Sequence, residues 1–240
     1  MTKWQLKIFT ELSSTNRYAL DHLDNLDNQT VIIAKTQKAG YGRYQRPWVS
    51  EQKDNLYFSI VLKGEEHQRF AQNLTQYTAI ILCRLLTKYR LQAAIKWPND
   101  LLIENKKVAG ILCETVSMGS KIKGIVIGIG INLNWNPQKI PHINQPATAL
   151  NIILGQKIES QKFLESLLEQ FQKDYQEFLE NGFISIQKEY IKRSFYLGNL
   201  VKINSNQEII AGKALKIDQT GALILQVADG QKRITMGDML

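Results

Sequence analysis

Pro98 fixes a point where a strand of this chain has to stop. A β-leaning run, Ala93-Ala94-Ile95, leads into Lys96-Trp97-Pro98-Asn99-Asp100, and the apolar pair Leu101-Leu102 leads out. Proline holds the residue before it extended and cannot donate to a sheet ladder, so the strand ends or bends here. Asn99-Asp100 is turn chemistry. An ordinary turn, however, does not need a cation and a large aromatic directly before it. Two readings stand: a strand-ending turn with a packed Trp97, or part of a binding site.

The flanking patterns set the fold class. Trp4 to Phe9, Val31 to Lys35 and Leu56 to Leu62 read as strands, and Ser13-Ser14-Thr15-Asn16 suits a helix start. Phe70, Leu74, Tyr77, Ile81, Leu82, Leu85 and Tyr89 recur at helical spacing. Beyond Pro98, Leu101 to Ile103 and Val108 to Val116 flank a hairpin turn at Glu104-Asn105-Lys106. Met118-Gly119-Ser120 makes a second turn before a strand over Ile122 to Leu133. After an Asn/Pro-rich loop at 134–146, one long helix carries Phe163, Leu167, Phe171, Tyr175 and Phe178 on its inner face. Gly182 ends it, and a further helix spans Phe183 to Arg193. From about Leu197, short alternating runs and tight turns predict a module of four or five strands. The layout is α+β to residue 194, then a small β domain.

At 240 residues this is room for one sizeable domain and an appendage. No apolar run approaches the roughly 20 residues of a membrane span, which makes the cytoplasm the expected location. A net charge of +8 favours acidic partners, but the basic residues are scattered, which weakens a nucleic-acid reading. Cys83 and Cys113 sit inside apolar runs and read as inert thiols. The three histidines lack metal-ligand spacing.

Gln37-Lys38-Ala39-Gly40-Tyr41-Gly42-Arg43-Tyr44-Gln45-Arg46-Pro47-Trp48 is the second unusual stretch. Gly40 and Gly42 let the backbone approach an anion, and Arg43 and Arg46 carry forked donors for phosphate or carboxylate. A flexible, solvated basic loop is the other reading. Lys107 opens the strand Lys107-Val108-Ala109-Gly110-Ile111-Leu112, whose amine and glycine gap together fit a carboxylate with an aliphatic tail. A surface cation beside the turn fits Lys107 as well. In Gly128-Ile129-Gly130-Ile131-Asn132, the two glycines share one strand face and leave it free of side chains, for a ligand or for a crossing helix.

These segments together resemble the biotin protein ligases. Lys96-Trp97-Pro98-Asn99-Asp100 stands in this form in that family. The loop keeps Gln37, Gly40, Gly42, Arg43, Arg46 and Trp48 of its Gln-x-x-Gly-Arg-Gly-Arg-x-x-Arg-x-Trp pattern. It departs at Tyr41, usually arginine, and at Gln45, commonly glycine. The Lys107–Leu112 strand, the Gly128–Asn132 strand end and Ser14-Thr15-Asn16 also match, in the family's order.

The resemblance implies a mixed-sheet catalytic domain of the biotin/lipoate ligase type, with helices on one side, over 1–194. An SH3-like β-barrel would follow over 195–240. It implies that biotin and ATP form biotinyl-adenylate, and that a lysine of a biotin carboxyl carrier protein, such as that of acetyl-CoA carboxylase, then takes the biotin. Arg43 and Lys107 are the candidate catalytic clamps on carboxylate and α-phosphate. Biotin would meet Ser14, Thr15, Gln37, Gly40, Tyr41, Gly110, Leu112, Gly128 and Gly130 as well as these two. Arg43, Arg46, Trp48, Asn99, Asp100 and Asn132 would serve ATP, with Asp100 the candidate for Mg²⁺.

Rival readings are a lipoate or octanoate ligase of the same fold, a ligand sensor without activity, and a nucleic-acid-binding regulator. Against the last, the chain begins at the expected catalytic domain, with no room for the helix-turn-helix of repressor-type members. It stops at Leu240, which leaves open what its C-terminus offers ATP. A monomer and a homodimer are both compatible with the sequence.

Overall fold

The computed structural model describes residues 4–51, 53–119, 121–135, 145–205 and 208–240. Seven strands form one mixed sheet. The edge strand β1 (Gln5–Leu12) runs parallel to β2 (Thr30–Gln37), and the connection between them contains the short helix α1 (Thr15–Asp21). Antiparallel to β2 lies β3 (Leu56–Leu62), followed across the sheet by β7 (Lys121–Ile131), β6 (Lys106–Met118), β5 (Asp100–Ile103) and β4 (Ala94–Lys96). The stop read at Pro98 is the turn of the β4–β5 hairpin, where Lys96 pairs with Asp100. The next turn uses Glu104 and Asn105 at φ of 50° and 60°, the twist that joins tight hairpins.

Alternation along the strands divides the core in two. Val31, Ile60, Ile125 and Ile127 point to one face, where α2 (Leu74–Lys88), α4 (Ser160–Asn181) and α5 (Ile184–Arg193) cover them. Arg84 of α2 ties these helices together, with Asp174 at 2.6 Å and Glu189 at 2.7 Å. The neighbouring Ile32, Val61 and Val126 point to the other face, against Ala19, Leu23 and Leu26. The expectation of helices on one side therefore holds for the three long ones, while α1 lies across the opposite face. The short helix α3 (Leu150–Leu154) was not legible in the sequence. Of the loop read at 134–146, residues 136–144 lie outside the described residues, as does Ser120 of the second turn.

Five antiparallel strands, β8 (Leu200–Ser205), β9 (Glu208–Ile217), β10 (Leu223–Val227), β11 (Gly230–Ile234) and β12 (Asp238–Met239), form a second sheet. Ile203, Ile217, Leu223 and Leu225 continue the large core without a break. Asn73 and Gln76 of the α2 region donate to the carbonyls of Thr220 and Gly221 at 2.9 and 2.8 Å. The C-terminal strand β12 in turn meets the loop that follows β2, through Asp238 with Arg43 and Arg46.

Candidate active site

Glycines clear the floor of the site. On β7, Gly124, Gly128 and Gly130 lie on the α1 face, and Gly130 pairs directly with Gly110 of β6. Four missing side chains let other groups lie flat on the sheet. A Cβ at Gly124 would sit 2.9 Å from Leu23 Cδ1. One at Gly128 would strike Asn16, with its Cγ at 2.7 Å. At Gly130 it would strike the Trp48 indole, with Nε1 at 2.5 Å, and at Gly110 it would lie 2.8 Å from Trp48 Cζ3. The side-chain-free groove read from the sequence thus exists, and α1 and the glycine-arginine loop use it to approach the sheet.

That loop is a small hairpin laid over the floor. Trp48 N donates to Gly40 O and Gly42 N to Arg46 O, both at 2.8 Å, and Tyr41 bridges Pro47 between them. Its tip carries Tyr44 and Gln45 at φ of 55° and 57°. Left-handed backbone at Gln45 gives a physical reason for the glycine common there in the family. The cavity of about 560 Å³ under the loop is lined by all the predicted site residues except Gly40. Gly40 instead sits beneath the loop, where a Cβ would lie 2.7 Å from Ser50 Oγ and 2.9 Å from Trp48 O. The absent side chain at Gly40 allows this close packing of the hairpin.

The cavity has two chemically different ends. Ser14 caps α1, and the next residue, Thr15, donates its amide N–H to Gln37 Oε1 at 2.8 Å. Ser59 on β3 reaches Thr15 Oγ1 at 2.8 Å and Asn16 Oδ1 at 2.5 Å. Ser14, Thr15, Asn16 and Ser59 at this end are uncharged and buried, and they offer both donors and acceptors. The opposite end holds Arg43, Arg46, Lys96 and Lys107. Arg43 and Arg46 both grip Asp238 of β12, at 2.8 and 2.9 Å, and Arg43 also donates to Gly237 O at 2.6 Å. Lys107 meets Asp100 at 2.7 Å, with its ammonium 5.0 Å from the Trp48 ring centre. Each cation expected to clamp an anion is therefore paired with a carboxylate, which keeps neighbouring like charges compensated.

Among the described residues, three buried polar atoms at this cavity have no partner: Trp48 Nε1, Trp135 Nε1 and Asp100 Oδ1. Orphaned buried groups call for an explanation, and a bound polar ligand supplies one. Asn99 and Asn132 serve the frame as well as the cavity. Asn99 Nδ2 donates to Ile111 O at 3.0 Å, and Asn132 Nδ2 donates to Thr148 O at 3.1 Å. Asp238, Asn16 and Trp135 were missed by sequence reasoning. Asn16 carried a signal, since it stands in the Ser14–Asn16 motif, but its capping chemistry masked its place over Gly128. Elsewhere, burial pushes the Cys83 and Cys113 thiols up to about 12, in keeping with an inert reading. Among the described residues, no group of three or more His, Cys, Asp or Glu side chains is placed to hold a metal.

Comparison with known proteins gives this architecture relatives. Residues 8–132 match the biotin/lipoate A/B protein ligase family, and residues 196–240 match the biotin protein ligase C terminal domain. The bifunctional ligase/repressor BirA of Bacillus subtilis is 31% identical over 231 residues, covering 95% of this chain and 71% of that protein. The biotin–[acetyl-CoA-carboxylase] ligase of Paracoccus denitrificans is 29% identical, over 94% of this chain and 96% of that one. The biotin protein ligase of Aquifex aeolicus in complex with biotin and ATP superposes with a TM-score of 0.85 at 28% identity. The match covers 98% of this chain and 97% of that one.

Proposed function

We infer the reaction from the family: the chain belongs to the biotin/lipoate A/B protein ligase family and is an ATP-dependent biotin protein ligase. The match of residues 196–240 to the biotin protein ligase C terminal domain favours biotin over lipoate. One observation carries the assignment of residues. A neutral hydrogen-bonding end and a cationic end share one cavity over a glycine floor, which suits a ureido ring at one side and phosphates at the other.

In the first step the biotin carboxylate attacks the α-phosphorus of ATP and pyrophosphate leaves. Two anions must meet, so positioning and charge neutralisation are what the protein has to supply. Thr15 and Gln37, with Ser14 and Asn16, hold the ureido ring. The valeryl chain runs along Gly110 and Leu112 towards Lys107. Arg43, Arg46 and Lys107 exchange Asp238 and Asp100 for carboxylate and phosphate oxygens. Trp48 covers the mixed anhydride against water. In the second step a carrier lysine amine attacks the anhydride carbonyl, and AMP leaves.

Mg²⁺ accompanies ATP through few protein ligands, commonly one or two carboxylates. Asp100, with one buried oxygen unpartnered, fits that mode, and Asp100 is the residue we assign to the Mg²⁺–nucleotide. The ion supplies charge neutralisation on the phosphates. Among the described residues no helix is long and apolar enough to cross a membrane, and we place the activity in the cytoplasm.

The deciding experiment incubates the protein with ATP, Mg²⁺, biotin and a biotin carboxyl carrier domain of acetyl-CoA carboxylase. The expected result is a mass gain of one biotin on the carrier lysine. A gain with lipoate or octanoate and none with biotin would overturn the reading.

A further inference from the structure

Among the side-chain contacts that fasten the loop from Gln37 to Ser50, one uses a residue where the chain departs from the family pattern. At the base, Gln37 Nε2 donates to Ser50 Oγ at 2.9 Å. At the tip, Arg43 and Arg46 meet Asp238. Between them the Tyr41 hydroxyl donates to Glu114 Oε2 of β6 at 3.0 Å. Glu114 is itself held, because Asn16 Nδ2 donates to the same oxygen at 2.8 Å. Asn16 continues through Ser59 to Thr15, and Thr15 to Gln37. A connected run of hydrogen bonds thus joins Tyr41 to the neutral end of the cavity and to the base of its own loop.

We propose that Tyr41 is the latch of this loop, a positioning residue whose bond to Glu114 holds the closed geometry that retains biotin and its adenylate. The proposal rests on the biotin-ligase reading above. Burial and the adjacent Glu114 carboxylate push the phenol up to about 12, so the group remains a donor throughout the neutral range. The Arg17 guanidinium, 5.9 Å from the Tyr41 ring centre, flanks the contact on its other side. Among the described residues the Arg43 and Arg46 side chains of the tip bond to Asp238, and Arg43 also to the Gly237 carbonyl, and the proposed reaction requires the arginines to exchange Asp238 for phosphates. Once that exchange occurs, the Tyr41–Glu114 bond and the packing of Trp48 on Gly110 and Gly130 still hold the middle of the loop to the sheet, and Tyr41 supplies the hydrogen bond.

The test compares Tyr41→Phe, Glu114→Ala, the double variant and Tyr41→Arg with the natural protein. Tyr41→Phe keeps the ring and removes the donor. It is expected to raise the KM for biotin and the escape rate of biotinyl-adenylate about tenfold, the worth of one charge-assisted hydrogen bond. The loss falls on these rather than on kcat. Tryptic cleavage after Arg43 should quicken in parallel, and Glu114→Ala and the double variant should show no more than the same loss. Tyr41→Arg, able to pair with Glu114, should restore retention only while Glu114 is present. Natural retention and natural cleavage in Tyr41→Phe, or additive losses in the double variant, would overturn the latch. If the natural protein releases no pyrophosphate with biotin and ATP, the biotin reading fails instead, and the cleavage comparison still judges the latch.

Discussion

Gly130→Ala separates the strand from the loop that rests on it. In an extended central strand an alanine fits without strain, since Gly130 is not among the glycines at positive φ. Replacing glycine inside a strand contributes on the order of 0.5–1 kcal/mol of its own. The new methyl, however, would lie 2.5 Å from Trp48 Nε1 and 2.6 Å from Cζ2. Ordinary carbon contacts are about 3.5–4.0 Å, so the indole must lift by roughly 1 Å or more. The ring is on the loop and the methyl on a sheet anchored on both sides, so the loop yields. An aromatic side chain buries some 150–250 Å², and losing roughly half of that contact at about 25 cal/mol/Å² costs about 2.5 kcal/mol. That corresponds to a fall of between tenfold and a hundredfold in the closed population. The assay forms labelled biotinyl-adenylate on the enzyme and follows its escape, beside a thermal melt. Escape should quicken by that factor with no loss of melting temperature. Adding Gly130→Ala to Trp48→Ala should change nothing further. Unchanged retention in Gly130→Ala, or a large fall in melting temperature, would show that the clash is not borne by the loop.

Two further results are expected. Arg43→Ala and Lys107→Ala should each slow pyrophosphate release about a hundredfold, comparable to losing one preorganised charge donor, and release near the natural rate would remove the assigned role. Arg43→Ala should also shed free adenylate, since it drops one of the two guanidinium contacts to Asp238. In the C-terminal sheet, burial alone would raise the Asp218 carboxyl, but hydrogen bonds from Thr220, Arg233 and the Ala222 amide outweigh it and hold the group at about 2. Its folded value lies below the ordinary 3.8, so its stabilising contribution is present above that pH and is lost as pH falls towards 2. Acid melts of Asp218→Asn should show a shallower loss over that window, and an unchanged slope would assign the acid sensitivity elsewhere.

Local chemistry was legible wherever it was decided within a few residues. The Pro98 stop, the Glu104-Asn105 turn, the helical face from Leu74 to Leu85 and the break at Gly182 follow from backbone preference and apolar period alone. The lining of the cavity was legible as a set of residues and not as an arrangement. Nothing near Arg43 in the chain announces that its partner is Asp238, because that pairing depends on how the second sheet docks through Thr220 and Gly221. Helix α3, only five residues long, is too short for its period to stand out. The Tyr41–Glu114 contact is of the same kind: a loop and a strand far apart in sequence meet because the sheet order sets β6 beside β7.

The glycines explain why so many separate motifs belong to one site. Gly110 and Gly130 face each other across β6 and β7, and Gly128 lies two residues along the same face. Had any of them carried a side chain, α1 or Trp48 would be lifted from the sheet. Thr15 would then leave Gln37, and the loop would lose its seat. Glycine therefore acts here as a spacing device more than as a hinge, since these positions are extended and need no left-handed freedom. The arginines, the lysine and the carboxylates bring the charge. Their separation from the neutral end is set by how closely helix and loop lie upon the bare strands, and a single methyl on β7 is enough to change it.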